Sequence, residues 1–377
     1  MRRASVALAI TLTMVVAGTP AASAPLPPCD GRLVLDRPAG GTAYHTAYFS
    51  PTNDEETVTD ASIERFEAMT EREVAGVVFS DPWGHGGKLS IDFPRTKVRT
   101  AWRNGAIPMV RMMPWTRLAR PPDPVVTMGK VAAGRYDGPL RRWFRDARDL
   151  GIPLWVEFGV EVNGRWFPWN GVWNGGGRTD GYGDPAKPDG PERFRHAYRH
   201  VVRVARDVGA DDLTWVFHVD VERWPDTAWN DAHRYFPGDA FVDWVAVSVY
   251  GEQVPSGTPS HWSTLPGRLG HPDDPHSRYV NVRSIAPEKP LALVEFGVTE
   301  DPEAGDKAEW YAEAYGAVTP PGGTYGFGLV SVWSERWNNG GGVISDLRVN
   351  SSATALEAYR AGIADPALVS SPSFACV

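Results

Sequence analysis

The chain has 377 residues, an apolar share of 42% and a formal net charge of −8. That length holds one large domain or two ordinary ones, and the apolar share is enough for a sizeable core, which excludes a disordered chain. An acidic balance without clustered Lys and Arg excludes a nucleic-acid partner, whose phosphates must be neutralised by cations.

The chain opens on Met1-Arg2-Arg3, an apolar stretch from about Val6 to Val16, and Ala21-Ala22-Ser23-Ala24. This is the layout of a secretory signal peptide, with an apolar core too short to span a bilayer comfortably. A buried N-terminal helix is the other reading. We expect a signal peptide over residues 1–24 and a single domain over 25–377, secreted and with no membrane association after signal cleavage. Cys29 and Cys376 are the only cysteines. In an exported protein an even count predicts a disulfide. Closing so long a loop removes unfolded-state entropy worth on the order of 4–5 kcal/mol. Two free thiols on frayed ends is the alternative.

Eight short apolar runs follow: 43–49, 76–80, 107–112, 153–161, 213–218, 244–250, 290–295 and 326–333. Helical patterns lie between them. Residues 61–75 carry Ile63, Phe66 and Met69 at three-residue spacing. In 191–208 the stripe is Phe194, Tyr198, Val201, Ala205 and Val208, with Pro191 in the first turn and Gly209 as a stop. Gly151 closes a helix over 140–150, and 306–317 and 353–361 complete the series. Eight strand runs separated by helices predict an α/β fold, the closed (β/α)8 or TIM barrel. A doubly wound open sheet is the runner-up, but no Gly-rich phosphate loop follows the first run.

Barrel chemistry sits at the C-terminal ends of the strands. The fourth run ends on Glu161 and the seventh on Glu295. A carboxylate there is costly unless paired or used. Strand alternation would put Trp155, Glu157, Gly159 and Glu161 on one face, and Leu291, Leu293 and Glu295 on another. Two such glutamates among tryptophans suggest the carboxylate pair of glycosidic cleavage, one protonated and one ionised. The alternative is that both sit in internal ion pairs.

The stretch Val160-Glu161-Val162-Asn163-Gly164-Arg165-Trp166-Phe167-Pro168-Trp169 resembles the acid/base segment of glycoside hydrolase family 26, which comprises β-mannanases with some lichenases and β-1,3-xylanases. The similarity runs back through Gly134-Arg135-Tyr136-Asp137. It runs forward through Tyr235–Asp239 and Val242–Val245 to Glu295-Phe296-Gly297, covering roughly residues 125–345. By that resemblance Glu161 is the general acid/base and Glu295 the nucleophile. Tyr250 would hydrogen-bond the nucleophile, and Trp333 would floor the sugar site. Trp166 and Trp169 would line neighbouring subsites, with Asn163 of the same motif as a further substrate contact. The chain departs from the family at two positions: Val160 stands where His is usual, and Glu157 where Arg is usual. Glu157 adds a third acid that needs a partner, and Arg111 on the third run is within reach of it.

Three other features carry two readings each. The turn Asp81-Pro82-Trp83-Gly84-His85 either borders the cleft, with Trp83 or His85 touching sugar, or is a plain packed loop. His218 and Asp220 stand two apart as metal ligands sometimes do, but no third ligand recurs nearby, so a hydrogen-bonded interior is expected. The loop 175–190 carries Asp180, Asp184 and Asp189 without the ordered spacing of a calcium loop, and reads as a rim loop. The sequence therefore predicts a secreted, monomeric, endo-acting β-glycoside hydrolase. It would cleave a mannan- or β-glucan-type polysaccharide or oligosaccharide by double displacement, without cofactor or metal. The alternative is a barrel that binds glycans with impaired turnover.

Overall fold

The computed structural model describes residues 26–50, 54–117, 121–255 and 261–377. The expected signal peptide over 1–24 lies outside the described residues. Eight parallel strands form the centre: β1 Ala43–Phe49, β2 Gly76–Pro82, β3 Ile107–Met113, β4 Leu154–Phe158, β5 Leu213–Asp220, β6 Trp244–Tyr250, β7 Leu291–Gly297 and β8 Phe327–Ser334. They pair in sequence order, and β8 returns to β1 from Leu329 opposite Tyr44 to Ser334 opposite Phe49, so the barrel closes. All eight predicted runs are strands.

Period-two alternation sorts their side chains. Tyr44, Tyr48, Val78, Met109, Trp155, Val216, Trp244, Leu329 and Trp333 pack together inside. The intervening positions, such as Val77, Val110, Val156 and Phe217, pack with the helices. Those helices include α1 Asp60–Thr70, α2 Arg95–Arg103, α3 Asp137–Leu150, α4 Asp189–Asp207, α5 Arg278–Arg283, α6 Lys307–Val318 and α7 Ala353–Ile363.

Helix ends follow local chemistry. Thr59 and Ser62 cap α1 reciprocally. The pattern predicted over 61–75 stops at Thr70, because Glu71 turns left-handed at φ 59° and releases the chain toward β2. Gly151 ends α3 in the same conformation, φ 63°, as expected. After β5 the alternation of strand and helix lapses into short 3-10 turns at Ala228–Asn230, Ala232–Arg234 and Asp239–Phe241.

The floor of the barrel is sealed by both ends of the described chain. Leu33–Leu35 pairs antiparallel with Phe374–Cys376. The Leu35 amide donates to Thr214 Oγ1 at 2.7 Å, and Trp244 Nε1 donates to the Leu35 carbonyl at 3.0 Å. Cys29 and Cys376 are disulfide-bonded across 347 residues of sequence, so the free-thiol alternative does not hold. Among the described residues, no helix is long and apolar enough to cross a membrane.

Candidate active site

Two local departures from strand geometry aim the glutamates. β4 ends at Phe158 rather than continuing to Glu161. Gly159 follows at φ 67° and Glu161 at φ 47°, the left-handed region that a side-chain-bearing residue rarely adopts. The predicted common face of Trp155, Glu157, Gly159 and Glu161 therefore holds only for the first two. A Cβ on Gly159 would stand 3.0 Å from Phe194 and 3.3 Å from Trp169, so a side chain there would press on both rings and strain the backbone. In β7 the pairing shifts register between Leu293 and Glu295. Leu291 and Leu293 pack outward with the helices, while the irregularity turns Glu295 inward, which overturns their predicted shared face.

The loop carrying Glu161 is tied down from several sides. Asn163 Nδ2 donates to the carbonyls of Asp220 at 2.8 Å and Glu222 at 3.2 Å, and its Oδ1 accepts from the Asp220 amide at 2.8 Å. The side chain predicted to touch substrate thus spends its bonds joining the β4 and β5 loops. The Trp166 ring packs over Gly164, where an added Cβ would lie 2.2 Å from it. From there Trp166 Nε1 donates to Glu161 Oε2 at 2.7 Å. Ser248 on β6 acts on the same carboxyl and favours its ionised form.

Glu295 is held by a separate set of groups. Tyr250 Oη donates to its Oε2 at 2.8 Å. Arg111 Nη2 stands 3.0 Å from its Oε1, with both side chains nearly solvent-free. The other guanidinium nitrogen donates to Glu55 Oε2 at 2.8 Å, and the group lies 4.7 Å from the Trp333 ring centre. Trp333 is itself stacked on Tyr48 at 3.7 Å and donates to Glu335 Oε2 at 3.0 Å. Arg111 therefore does not pair with Glu157, as the sequence suggested. Glu157 accepts instead from Trp155 Nε1 at 2.5 Å and lies 2.7 Å from His218 Nδ1. Sequence reasoning missed this division of partners, although Arg111 inside an apolar run was the signal of a buried counter-charge.

The two sets meet. A carboxylate oxygen of Glu161, one of Glu295 and a ring nitrogen of His218 all lie within 4.8 Å of one another. Burial raises Glu161 above the usual carboxylate range, against Ser248, Trp166 and Arg111. It also raises Glu295 to about 7, with Arg111 opposing and the charge of Glu161 adding. Two carboxyls this close do not both ionise readily. Arg111 and Tyr250 favour the charge on Glu295, and the proton then belongs to Glu161.

The remaining predicted residues are distributed unevenly. Trp169 is fully buried, bonded by Nε1 to the Val160 carbonyl at 2.7 Å and stacked on Phe167 at 4.5 Å. Trp83 is likewise buried, against Tyr136 and Phe158. Both are packing residues here and present no free face. His85 is exposed in the hairpin of Gly84–His85 with Lys88–Leu89, 3.5 Å from Glu56. His218 bonds Glu157 and Ser248 rather than pairing with Asp220. In the 175–190 loop, Asp180, Asp184 and Asp189 pair with Arg178, Lys187 and Arg193, which gives them cations of the chain itself.

Beside the carboxylates lies a cleft of about 320 Å³ lined by Trp166, Glu222, Trp224, Tyr250, Glu252 and Arg268. It shares Asp220, Val221, Glu222 and Trp224 with an adjoining hollow of about 600 Å³. Trp166 and Trp224 are 37% and 47% exposed, unusual for indoles, and offer aromatic surface along this groove. Trp224 carried no signal in the sequence beyond its residue type.

The family model described as glycosyl hydrolase family 26 matches residues 135–262, which span the Glu161 loop, His218, Ser248 and Tyr250. Over that span the chain is similar to family 26. Endoglucanase H of Acetivibrio thermocellus is 28% identical over 277 residues, covering 73% of this chain and 26% of that protein. Beta-1,3-xylanase TXYA of a Vibrio species is 25% identical over 154 residues, 41% of this chain and 29% of the relative. The chain thus spans about a quarter of the length of the curated relatives it matches. Among solved structures, an endo-beta-1,4-mannanase double mutant of Cellulomonas fimi superposes with a TM-score of 0.56 at 16% identity, covering 87% of this chain and 72% of that one. The family 26 β-mannanase BoMan26A of Bacteroides ovatus gives 0.54 at 14% identity, covering 87% and 90%. At such identities the likeness is one of fold. The likeness in sequence is to family 26 over residues 135–262, and the likeness in fold is to (β/α)8 barrels of that kind.

Proposed function

We propose that the chain is a secreted, monomeric, endo-acting β-glycoside hydrolase that cleaves a glucan- or mannan-type polysaccharide with retention of configuration. The observation that carries this reading is the approach of Glu161 and Glu295, whose oxygens lie within 4.8 Å. Retaining enzymes hold their two carboxyls roughly 5–5.5 Å apart, whereas inverting enzymes leave about 6.5–9.5 Å for a water.

In the mechanism, Glu295 attacks the anomeric carbon, and the bond from that carbon to the leaving oxygen breaks as Glu161 protonates the oxygen. Glu161 then takes a proton from water, whose oxygen displaces Glu295 and releases the sugar. Arg111 and Tyr250 hold Glu295 ionised and oriented. Trp166 fixes the Glu161 carboxyl and exposes its ring to the adjoining cleft, which supports a sugar-stacking role. The groove shared by Trp166 and Trp224 supports an extended substrate that runs past the cleavage point. The disulfide supports export to an oxidising compartment.

The test is product release from a panel of β-glycans by wild type, Glu161→Ala and Glu295→Ala, with the anomer of the first product read by NMR. We expect cleavage of one glycan class with retention, and loss of nearly all turnover in both variants. Glycan binding without release by the wild type would instead assign a binding barrel, a reading favoured by the apolar, fully buried Val160 beside the acid/base.

A further inference from the structure

His218 stands between two carboxyl groups, hydrogen-bonded to Glu157 and to Ser248 and within 4.8 Å of Glu161. Trp155 Nε1 donates to Glu157 Oε1 at 2.5 Å, and Glu157 Oε2 lies 2.7 Å from His218 Nδ1. On the far side, His218 Nε2 lies 2.7 Å from Ser248 Oγ. Ser248 lowers the Glu161 carboxyl against the effect of burial, and a ring nitrogen of His218 lies within 4.8 Å of a Glu161 oxygen. Glu157, His218 and Ser248 are all buried, so water does not compete for these bonds.

Chemistry fixes the roles along this line of groups. Burial alone would raise Glu157, but His218, Trp155 and Arg111 bring it below the usual carboxylate range. An ionised Glu157 only accepts, so His218 Nδ1 carries a proton in either state of the ring. Nε2 is then free to accept from Ser248 or, once protonated, to donate to it. A serine hydroxyl donates one hydrogen and accepts in the other direction. Two arrangements satisfy every atom. In the first, protonated Glu161 donates to Ser248 Oγ, whose hydrogen points to a neutral His218. In the second, Ser248 donates to ionised Glu161 and accepts from protonated His218 Nε2.

We propose that Glu157, His218 and Ser248 form a proton relay to Glu161, in which His218 is a second seat for the acid/base proton. This rests on the hydrolase reading for its catalytic meaning. The step moves one proton without changing the charge of the line: the hydrogen on Glu161 passes to Ser248 Oγ as the serine hydrogen passes to His218 Nε2. The other charged and titratable groups around the line are Arg111 from β3, Asp220 from β5, Tyr250 from β6, Glu295 from β7 and Glu55 from the loop after β1. Arg111 is the cation of that set, and its contacts go to Glu295 and Glu55. His218 is thus the proton carrier that the Ser248 hydroxyl would join to Glu161. Glu157, His218 and Ser248 act through Glu161 and are positioning residues.

Nuclear magnetic resonance of the whole chain tests the relay without substrate. The His218 ring nitrogens and the Glu161 carboxyl carbon should titrate over a shared pH interval, in steps that belong to the pair. Ser248→Ala should separate them, so that each titrates in its own single step, and Ser248→Thr should restore the coupling. Unchanged His218 signals in both Ser248→Ala and Glu161→Gln overturn the proposal. With a cleaved glycan in hand, Ser248→Ala and His218→Gln should each move the alkaline limb of kcat/KM upward, and the double variant no further than either single one. A lower rate with an unmoved profile would also overturn it. Coupled titration in a protein that cleaves no glycan leaves the relay standing and refutes the hydrolase reading; uncoupled titration in an active enzyme does the reverse.

Discussion

Arg111 and Glu295 form an ion pair of 3.0 Å with 3% and 5% of their side chains exposed. Removing one partner of such a pair strands the other charge out of water, at a cost of about 3–5 kcal/mol. Under the proposed mechanism, Arg111→Met should therefore lower the melting temperature and abolish turnover together, because an unpaired Glu295 takes up a proton and can no longer attack. Arg111→Lys keeps the charge but cannot reach both Glu295 and Glu55 with a planar fork. We expect it to recover most of the stability and little of the activity, as measured by calorimetry beside initial rates.

Tyr250 contributes one charge-assisted bond to Glu295. Such bonds are worth about 1.5–3 kcal/mol, which corresponds to roughly 10–100-fold in rate if felt fully in the transition state. Tyr250→Phe should reduce kcat/KM by that amount, with the acid limb of its pH profile moved upward. An unchanged limb would mean that Tyr250 packs without orienting the carboxylate.

The pH dependence follows from the shared proton. Burial raises Glu295 to about 7, and repulsion from a charged Glu161 adds to the rise. With Glu161 protonated that repulsion is absent, and Glu295 ionises at lower pH. The working form holds one proton, so kcat/KM should be bell-shaped, and its alkaline fall should lie above the ordinary carboxylate range because burial raises Glu161. Linkage has a definite sign here. Between the ordinary carboxylate range and about 7, the folded state binds more protons at this site than the unfolded chain, so the site's contribution to stability falls as pH rises. Melting curves of wild type and Glu295→Gln at pH 5 and 7 would measure it.

Trp166 joins Glu161 to the groove. Trp166→Phe keeps an aromatic face but removes the donor to Glu161 Oε2, which should raise that carboxyl further and move the alkaline limb upward with modest change in KM. Trp166→Ala should raise KM as well. Equal effects of the two substitutions on KM would argue that the indole acts only through Glu161.

Much of the barrel was legible because its strands are short apolar runs whose period is set by covalent geometry, and a run such as 43–49 matches its strand residue for residue. The aim of the glutamates was not. Glu161 escapes alternation through two left-handed residues, and Glu295 through a register shift, neither of which leaves a mark in apolar periodicity. Residue types identified the tryptophans but not their exposure. Trp83 and Trp169 fill the packing while Trp166 and Trp224 face the groove, a division decided by tertiary contacts. Arg111 was visible as a buried cation, yet its choice of Glu295 over Glu157 depended on His218, which lies 61 residues beyond Glu157.

The knot of Leu33–Leu35, Phe374–Cys376 and the Cys29–Cys376 bond lies beneath the barrel, at the end opposite both glutamates. Anything attached through either of these segments, whether a resin, a dye or another folded unit, would sit on the side remote from the groove. The barrel would then be presented mouth outward, as a tool held by its handle, and a long polymer of the proposed kind could pass across it without meeting the attachment.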